Sequence, residues 1–258
     1  MGKEKRGDIS NKTWTEVVKD YAGKDLGERK NWYGSVAEAY NRVRPRYPQT
    51  VIERAIQLAQ LSPKAKILEL GCGSGQVFSN IFWEIEFYKA IDASFSMCEL
   101  HPKAKNLSVK CFNFDSNEFF DEIKKQKFDM VISSSALQWS NDLKKIVKEL
   151  SKITNEINVV LFTSNTFKTI QNITNQKSPI LDEKIIKEAF SSYFFCEFET
   201  IFYKLEFDNK KELFDYIKKS GVSGKSELNF EKAKKLYKEY NLNYLEFEVI
   251  FVKTISKL

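Results

Sequence analysis

The sequence predicts an α/β fold in which helices cover both faces of a mostly parallel, seven-stranded sheet. Five short apolar runs alternate with helical segments, which is typical of parallel strands joined by helices. Two longer runs, rich in aromatic and β-branched residues, follow near the end of the chain and predict a closing antiparallel pair. The predicted strands are residues 67–70, 88–91, 107–112, 128–133, 157–162, 198–207 and 245–255.

Helical patterns between and before these strands suggest how the chain is organised. We divide it into an N-terminal extension with lid helices, residues 1–61, and a main domain, residues 62–258. Between the fourth and fifth strands, apolar residues at i, i+3, i+4 and i+7 from Leu143 predict a helix that covers the sheet. Cap elements are expected at about 164–196 and 208–243, the second in a position to cover an active site.

Composition indicates a soluble protein with one main core. The 258 residues carry a net charge of +6, and a chain of this length suits a single domain with an elaboration. No apolar stretch reaches the roughly 18 residues of a membrane span, and the charged start lacks the apolar segment of a signal peptide. We therefore expect a cytoplasmic monomer that does not bind a membrane.

Cysteine and histidine usage argues against several classes of site. Cys72, Cys98, Cys111 and Cys196 are scattered without C-x-x-C spacing, and His101 is the single histidine. Zinc sites and disulfide frameworks require clustered ligands or cysteine pairs, so we expect neither. The same scarcity argues against a Cys-His pair or a Ser-His-Asp triad, and we expect His101 to be a non-catalytic loop residue.

Arginine is confined to the front of the chain. All six arginines lie in residues 1–54, which hold twelve basic and eight acidic side chains, whereas the remainder holds 29 and 27. The clustering either concentrates guanidinium groups for anion binding or marks a front segment of separate origin, even a fusion. The sequence leaves both explanations open.

A glycine-rich turn follows the first predicted strand. Gly71, Gly73 and Gly75 come directly after the apolar run, and Glu69 lies two residues before the first of them. Such a turn lets a ligand lie against the backbone, and a following helix offers unpaired N–H groups. The spacing fits neither the dinucleotide fingerprint nor a phosphate-binding P-loop. It resembles the E-x-G-x-G-x-G motif of class I S-adenosylmethionine-dependent methyltransferases, which have a Rossmann-like fold.

Acidic residues after the next two strands sharpen this resemblance. Ligands of open parallel sheets bind beyond the carboxyl ends of the strands. Asp92 ends the second strand, where a carboxylate can accept both hydroxyl hydrogens of a ribose. Asp115 follows the third strand, where it can accept from an adenine amino group, with Phe112 or Phe114 against the ring.

The resemblance implies S-adenosyl-L-methionine as methyl donor and S-adenosyl-L-homocysteine as product. The residues expected to bind this cofactor are Tyr33, Glu69, Gly71, Cys72, Gly73, Gly75, Asp92, Ala93, Phe114, Asp115, Ser133 and Ser134.

The fourth strand narrows the resemblance to one family. Residues 128–139 end in Ala-Leu-Gln-Trp and are similar to the fourth-strand motif of the malonyl-acyl-carrier-protein O-methyltransferases of biotin synthesis. Segments 162–167, 213–221 and 244–251 resemble other regions of that family, so the resemblance covers about residues 66–258. The front of the chain looks instead like the generic lid of small-molecule methyltransferases.

That family resemblance implies methyl esterification of the free carboxylate of malonyl-acyl carrier protein, or of malonyl-CoA. A carboxylate with a pKa of about 4 is already ionised at neutral pH, so positioning of two bound reactants can suffice without a general base. We therefore assign no certain catalytic residue. The candidates for positioning are Arg42, Arg44 and Arg46 as partners of the substrate carboxylate, Tyr33 and Tyr40 as lid contacts, and Trp139 as a wall of the site.

Two other functions remain open from the sequence. The lid would suit a methyltransferase for a free small carboxylic acid, and a fusion could leave a cofactor-binding protein without activity. A nucleic-acid methyltransferase is disfavoured, because there is no Pro-Pro-Tyr-type tetrapeptide after the fourth strand and no basic-aromatic appendage. The lysines of residues 210–238, with the basic front, would favour encounter with an acidic carrier protein.

Overall fold

The structure, a computed structural model, describes residues 64–81, 84–220 and 230–258. The predicted lid helices of residues 1–61 lie outside these ranges. Within the described residues, seven strands form one sheet: β1 Lys66–Leu70, β2 Phe87–Asp92, β3 Leu107–Cys111, β4 Met130–Ser134, β5 Ile157–Phe162, β6 Phe194–Glu206 and β7 Tyr244–Lys257.

The sheet has the mixed topology that the sequence predicts. Its strand order is β3-β2-β1-β4-β5-β7-β6, with parallel pairing from β3 to β5. β7 runs antiparallel to both β5 and β6. β6 begins four residues before the predicted start, because Phe194 and its neighbours pair with the end of β7. β4 begins two residues later than predicted.

Helices connect the strands in the predicted alternation. They are α1 Gln76–Ser79, α2 Phe95–Leu100, α3 Asn117–Ile123, α4 Leu143–Leu150, α5 Lys168–Thr174, α6 Glu183–Ser191, α7 Lys210–Ser220 and α8 Phe230–Glu239. The stripe predicted from Leu143 is confirmed, since all four of its residues are buried. The helix after the glycine turn is a single turn, so it provides a much shorter dipole than the sequence motif suggested.

Both faces of the sheet are covered. Ile67 and Leu68 are neighbours on β1, point to opposite faces and are both fully buried. Leu68 packs in a core formed with α3, α4 and α6, whereas Ile67 packs with α1 and β2. This arrangement explains why the parallel strands read as continuous apolar runs instead of alternating patterns.

A separate core lies where the cap elements were predicted. Leu213 and Ile217 of α7 and Leu236 of α8 are buried together with Phe247 and Phe251 of β7. Helices α5 and α6 fall within the other predicted cap range. The division of the chain into domains stays a prediction. None of the helices in the described part of the chain combines the length and apolarity needed to cross a membrane.

Candidate cofactor site

The candidate site lies at the carboxyl ends of β1, β2 and β4. The sheet order reverses between β1 and β4, and ligands of open α/β sheets bind in the crevice at such a switch point. The glycine turn follows β1 at this place. The segments after β2 and β4 flank it, so the fold brings the predicted motifs to one edge of the sheet.

Two glycines of the turn are required by close packing. Gly71 has φ +70°, and a Cβ at this position would lie 2.0 Å from the Cβ of Ala136, in the segment after β4. Gly75 has φ +86°, and its Cβ would lie 2.4 Å from Cδ of Pro102. A side chain would therefore be both strained and blocked at either position. The turn is held between the segment after β4 and the end of α2.

Asp92 connects the glycine turn to the end of β2. Its Oδ2 accepts a hydrogen bond from the Gly73 N–H at 2.8 Å. Its Oδ1 accepts one from the Ser94 N–H, also at 2.8 Å. Each carboxylate oxygen has a second lone pair, so Asp92 can hold the turn and still accept from a ligand.

Glu69 lies beneath the turn and not on its surface. Its side chain is buried, 1% exposed, and Oε2 accepts a hydrogen bond from the Tyr88 hydroxyl at 2.8 Å. Burial raises the pKa of the Glu69 carboxyl to about 8, although the bond from Tyr88 opposes this shift. The carboxyl is therefore mostly protonated at neutral pH. From this position below the turn, Glu69 can support the backbone of the glycine turn.

The segment after β4 combines backbone strain with unpaired polar atoms. Ser133 is buried and its hydroxyl donates to the Leu70 carbonyl at 2.8 Å, which joins β4 to β1. Ser135 has φ +60° without being a glycine, a conformation that needs compensation elsewhere. Among the residues that the structure describes, the buried Oγ of Ser135, Oε1 of Gln138 and Oγ of Ser140 have no hydrogen-bond partner. Unpaired buried oxygens of this kind indicate a site that a polar ligand can complete.

Trp139 is exposed at this edge. It ends a short 3-10 helix, Leu137–Trp139, and its side chain is 42% exposed whereas Leu137 and Gln138 are buried. The residue is therefore not a member of the core. Its exposed indole is consistent with the predicted role as a wall of the site.

Asp115 connects two loops of the site. Both of its carboxylate oxygens lie 3.2 Å from the Asn141 N–H, and Oδ2 also accepts from the Asn141 side chain at 3.0 Å. The loops after β3 and β4 are thereby joined. Phe112 and Phe114 are half-buried against the larger core. Sequence reasoning missed Asn141, because nothing in its local pattern indicates a partner 26 residues away.

His101 is a buried structural residue next to the turn. It caps the carboxyl end of α2 and is 3% exposed. Its Nδ1 lies 3.1 Å from the Pro102 carbonyl oxygen, whereas Nε2 has no partner within the described part of the chain. Burial lowers the pKa of the imidazole, so the ring is neutral at physiological pH. The loop position was predicted; the burial was not.

The predicted site residues that the structure describes lie along this edge of the sheet, and their roles in binding stay predictions. Ser134 is half-buried and Ala93 is exposed, while Cys72 is buried within the turn. The predicted lid contacts and carboxylate partners, Tyr33, Tyr40, Arg42, Arg44 and Arg46, lie outside the described residues. Sequence reasoning also missed that three of the scattered cysteines, Cys72, Cys98 and Cys111, meet beside Asp92.

Comparison with known proteins agrees with this geometry. Residues 68–160 match a protein family described as a methyltransferase domain, a range that contains the glycine turn, Asp92, Asp115 and Trp139. The malonyl-[acyl-carrier protein] O-methyltransferase of Bacillus anthracis is 24% identical over 236 residues, which cover 83% of this chain and 86% of that protein.

The chain contains a methyltransferase domain of the class I fold. It resembles the malonyl-acyl-carrier-protein O-methyltransferases, and the matches support S-adenosylmethionine as its methyl donor. The alignment covers 83% of the chain, whereas residues 66–258 make up only about three quarters of it. The likeness therefore extends into the front of this methyltransferase, further than the sequence motifs indicated.

Solved structures show the same fold. The YcgJ protein of Bacillus subtilis matches this methyltransferase with a TM-score of 0.61 and 13% identity, over 81% of this chain and 99% of that one. Phosphoethanolamine N-methyltransferase 2 of Haemonchus contortus, solved with S-adenosyl-L-methionine, matches with a TM-score of 0.56 and 12% identity, over 92% of this chain and 59% of that one. Likenesses at this identity establish the fold and carry no information on the substrate.

Proposed function

We propose that this methyltransferase esterifies the free carboxylate of a malonyl group carried on acyl carrier protein or on CoA, a step of biotin precursor synthesis in the family it resembles. The observation that carries the proposal is the kind of side chain found at the candidate site, at the carboxyl ends of β1, β2 and β4. Hydrogen-bonding side chains and an exposed indole lie there, whereas Glu69 and His101, which are buried next to the turn, are packed away from the edge. Such an edge suits a nucleophile that is ionised before it binds.

The described residues fit S-adenosylmethionine. A turn with positive φ at Gly71, Gly73 and Gly75 allows close approach of a ligand to the backbone. We assign the ribose hydroxyls to Asp92 and the adenine amino group to Asp115, since both carboxylates are already fixed by hydrogen bonds to protein. When bound, the cofactor supplies an electrophilic methyl group on its sulfonium sulfur.

The chain's own contribution is positioning and partial exclusion of water. A malonyl carboxylate needs no proton removed at neutral pH, so rate enhancement comes from holding its oxygen in line with the methyl group. Trp139 provides an apolar wall for this approach. We assign the unpaired oxygens of Ser135 and Gln138 to polar groups of the bound reactants, and the carboxylate itself to an arginine among Arg42, Arg44 and Arg46.

An acidic carrier fits the charge of the described cap helices. Helices α7 and α8 carry several lysines, with Lys211, Lys234, Lys235 and Lys238 exposed. Complementary charge steers association and raises its rate more than it raises affinity. We therefore expect the rate with malonyl-acyl carrier protein to fall as salt rises, and the rate with malonyl-CoA to change less.

The test is methyl transfer to a set of matched acceptors. The full chain is incubated with S-adenosylmethionine and malonyl-acyl carrier protein, acetyl-acyl carrier protein, malonyl-CoA or free malonate, and each acceptor is weighed intact. A mass gain of one methyl group on the malonyl thioesters alone is the expected result. Gain on free malonate would favour a small-acid methyltransferase. Cofactor binding without any gain would favour a non-catalytic protein.

A further inference from the structure

Three cysteines of separate segments form one cluster. Cys72 lies in the glycine turn, Cys98 in α2 and Cys111 at the last residue of β3. The Cys98 thiol lies next to both of the other thiols and interacts with each of them electrostatically. All three are free. Cys98 is therefore the centre of the cluster.

The cluster lies against the backbone on both sides of Asp92. Sγ of Cys98 is 3.7 Å from the Asp92 carbonyl oxygen and 3.6 Å from that of Lys110. Sγ of Cys111 is 3.5 Å from the Ala93 carbonyl oxygen. Cys111 is also the registered partner of Asp92 in the β2–β3 pair. Any change in the cluster thus acts on the residue that fixes the glycine turn.

The three thiols differ in access and in acidity. Cys111 is exposed and Cys98 is half-buried, whereas Cys72 is buried. The pKa of Cys98 is lowered, chiefly by the neighbouring Cys72 thiol, while partial desolvation of the sulfur raises the pKa of Cys111 to about 11. A thiolate is the reactive form of cysteine. Cys98 is thus the nucleophile of the cluster, and Cys111 is the neighbour that solvent reaches.

We propose that Cys98 and Cys111 form a reversible disulfide when hydrogen peroxide oxidises the protein, and that this bond weakens cofactor binding at Asp92. Cys98 attacks one peroxide oxygen, the O–O bond breaks, and hydroxide leaves and becomes water by taking a proton. The resulting sulfenic acid is attacked by the Cys111 sulfur. The S–S bond forms, the S–O bond breaks, and a second water leaves with the Cys111 proton. Two electrons pass from the sulfurs to the peroxide.

The bond changes the site through geometry. A disulfide holds its sulfurs about 2.05 Å apart, closer than the non-bonded contact of two thiols that it replaces. Cys98 then has no S–H to donate to the Asp92 carbonyl, and α2 is drawn toward the end of β3. Because Ser94, which also binds the Asp92 carboxylate, immediately precedes α2, the acid is displaced together with the helix.

The pairing is tested by mapping disulfides in the full chain. The reduced protein is treated with hydrogen peroxide, free thiols are alkylated, and the chain is cleaved after lysine. This cleavage places Cys72, Cys98, Cys111 and Cys196 in four different peptides. The expected product joins the peptides of Cys98 and Cys111, and dithiothreitol separates them. A Cys72–Cys98 product, or oxidation of Cys98 no faster than that of Cys196, would overturn the pairing.

Matched variants separate the cluster from ordinary thiol oxidation. Cys196 is half-buried on β6 and lies outside the cluster, so Cys196→Ser should oxidise like the parent protein. In Cys111→Ser the Cys98 sulfenic acid should persist and react with a dimedone probe. Loss of the cross-link in Cys196→Ser as well would show that its formation depends on Cys196, which contradicts the proposal.

The effect on the cofactor is measured without any methyl acceptor. We expect the Kd for S-adenosylmethionine to rise about tenfold on oxidation, equal to about 1.4 kcal/mol, and to recover after dithiothreitol. Cys111→Ser should show no such change. An unchanged Kd in fully cross-linked protein would contradict the coupling. Because no substrate is used, this outcome is independent of whether the proposed esterification is correct.

Discussion

The two halves of the sheet differ in how each one holds a buried glutamate. Glu69 of β1 lies under the glycine turn, with Tyr88 as its one side-chain donor in residues 64–81, 84–220 and 230–258, and burial raises the pKa of its carboxyl to about 8. Glu248 of β7, also 1% exposed, accepts from the Thr163 hydroxyl and, at both oxygens, from the Asn165 amide at 3.0 and 3.2 Å. The cofactor half therefore contains a poorly compensated acid, and the cap half contains a fully hydrogen-bonded one.

The difference separates two roles for buried polar groups. A carboxylate with several donors holds chain segments together, because each lost bond leaves a buried donor unpaired. Glu248 in this way joins β7 to the segment after β5. A carboxyl with one donor in an apolar setting loses its charge instead. Glu69 thus supports the turn without placing a fixed negative charge beneath it.

The largest expected effect is on stability in the cap half. Glu248→Ala should lower the free energy of unfolding by about 3 kcal/mol, because Thr163 and Asn165 lose their buried acceptor. Urea unfolding followed by circular dichroism measures the loss. The exposed Glu197→Ala on β6 is the matched control and should change stability by less than about 0.5 kcal/mol. Equal effects of the two variants would remove the distinction between the halves.

The next effect is on cofactor affinity. In Asp92→Asn, one of the two N–H groups of Gly73 and Ser94 must face an amide N–H₂ group instead of an oxygen. We expect the Kd for S-adenosylmethionine to rise about tenfold to a hundredfold, about 1.4 to 2.8 kcal/mol, as measured by calorimetry. Asp121→Asn, at an exposed position of α3, is the control. An unchanged Kd would contradict the role of Asp92 in fixing the turn.

Glu69 should give this methyltransferase a pH-dependent stability. The folded chain keeps the carboxyl proton up to about pH 8, whereas the ordinary pKa is 4.5, so the folded state binds more protons between these values. The free energy of unfolding then falls as pH rises from 4.5 through 8, by at most about 1.4 kcal/mol per pH unit.

Glu69→Gln removes this dependence and keeps an acceptor for Tyr88. Its unfolding free energy should therefore fall less than that of the parent protein between about pH 6 and about pH 9. Urea titrations at the two pH values measure the difference, with Glu197→Gln as control. Parallel falls in Glu69→Gln and the parent would refute the raised pKa.

The smallest effect on stability is expected at Trp139. Because the indole is exposed, Trp139→Ala should change the free energy of unfolding by less than about 0.5 kcal/mol. If the indole forms a wall for the acceptor, KM for the malonyl thioester should rise while the Kd for S-adenosylmethionine stays constant. Phe195→Ala, an exposed aromatic on β6, is the control. Equal kinetics in both variants would exclude Trp139 from the site.

Sequence reasoning could predict the fold because the relevant signals are local. Continuous apolar runs such as 157–162 indicated buried parallel strands, and β5 covers the same residues. The positive-φ glycines and the acid that ends β2 also follow from local sequence. Their meeting at one edge follows from the general rule for open α/β sheets.

The remaining features depend on contacts between distant segments. Nothing near Asp115 indicates Asn141, and nothing near Glu248 indicates Thr163, since each pair is fixed by how separate loops pack. The cysteine cluster was missed for the same reason: Cys98 and Cys111 are brought together by the packing of α2 on β3. Spacing in the sequence shows paired cysteines only when both lie in one local motif.

The most direct test of the proposed function is where a transferred methyl group resides. S-adenosylmethionine with an isotopically labelled methyl group is supplied with malonyl-acyl carrier protein, and the pantetheine arm is ejected and fragmented in the mass spectrometer. The account predicts one labelled methyl group on the distal malonyl carboxylate and none on the acetyl carrier. Label on the carrier polypeptide, or equal label on both carriers, would contradict it.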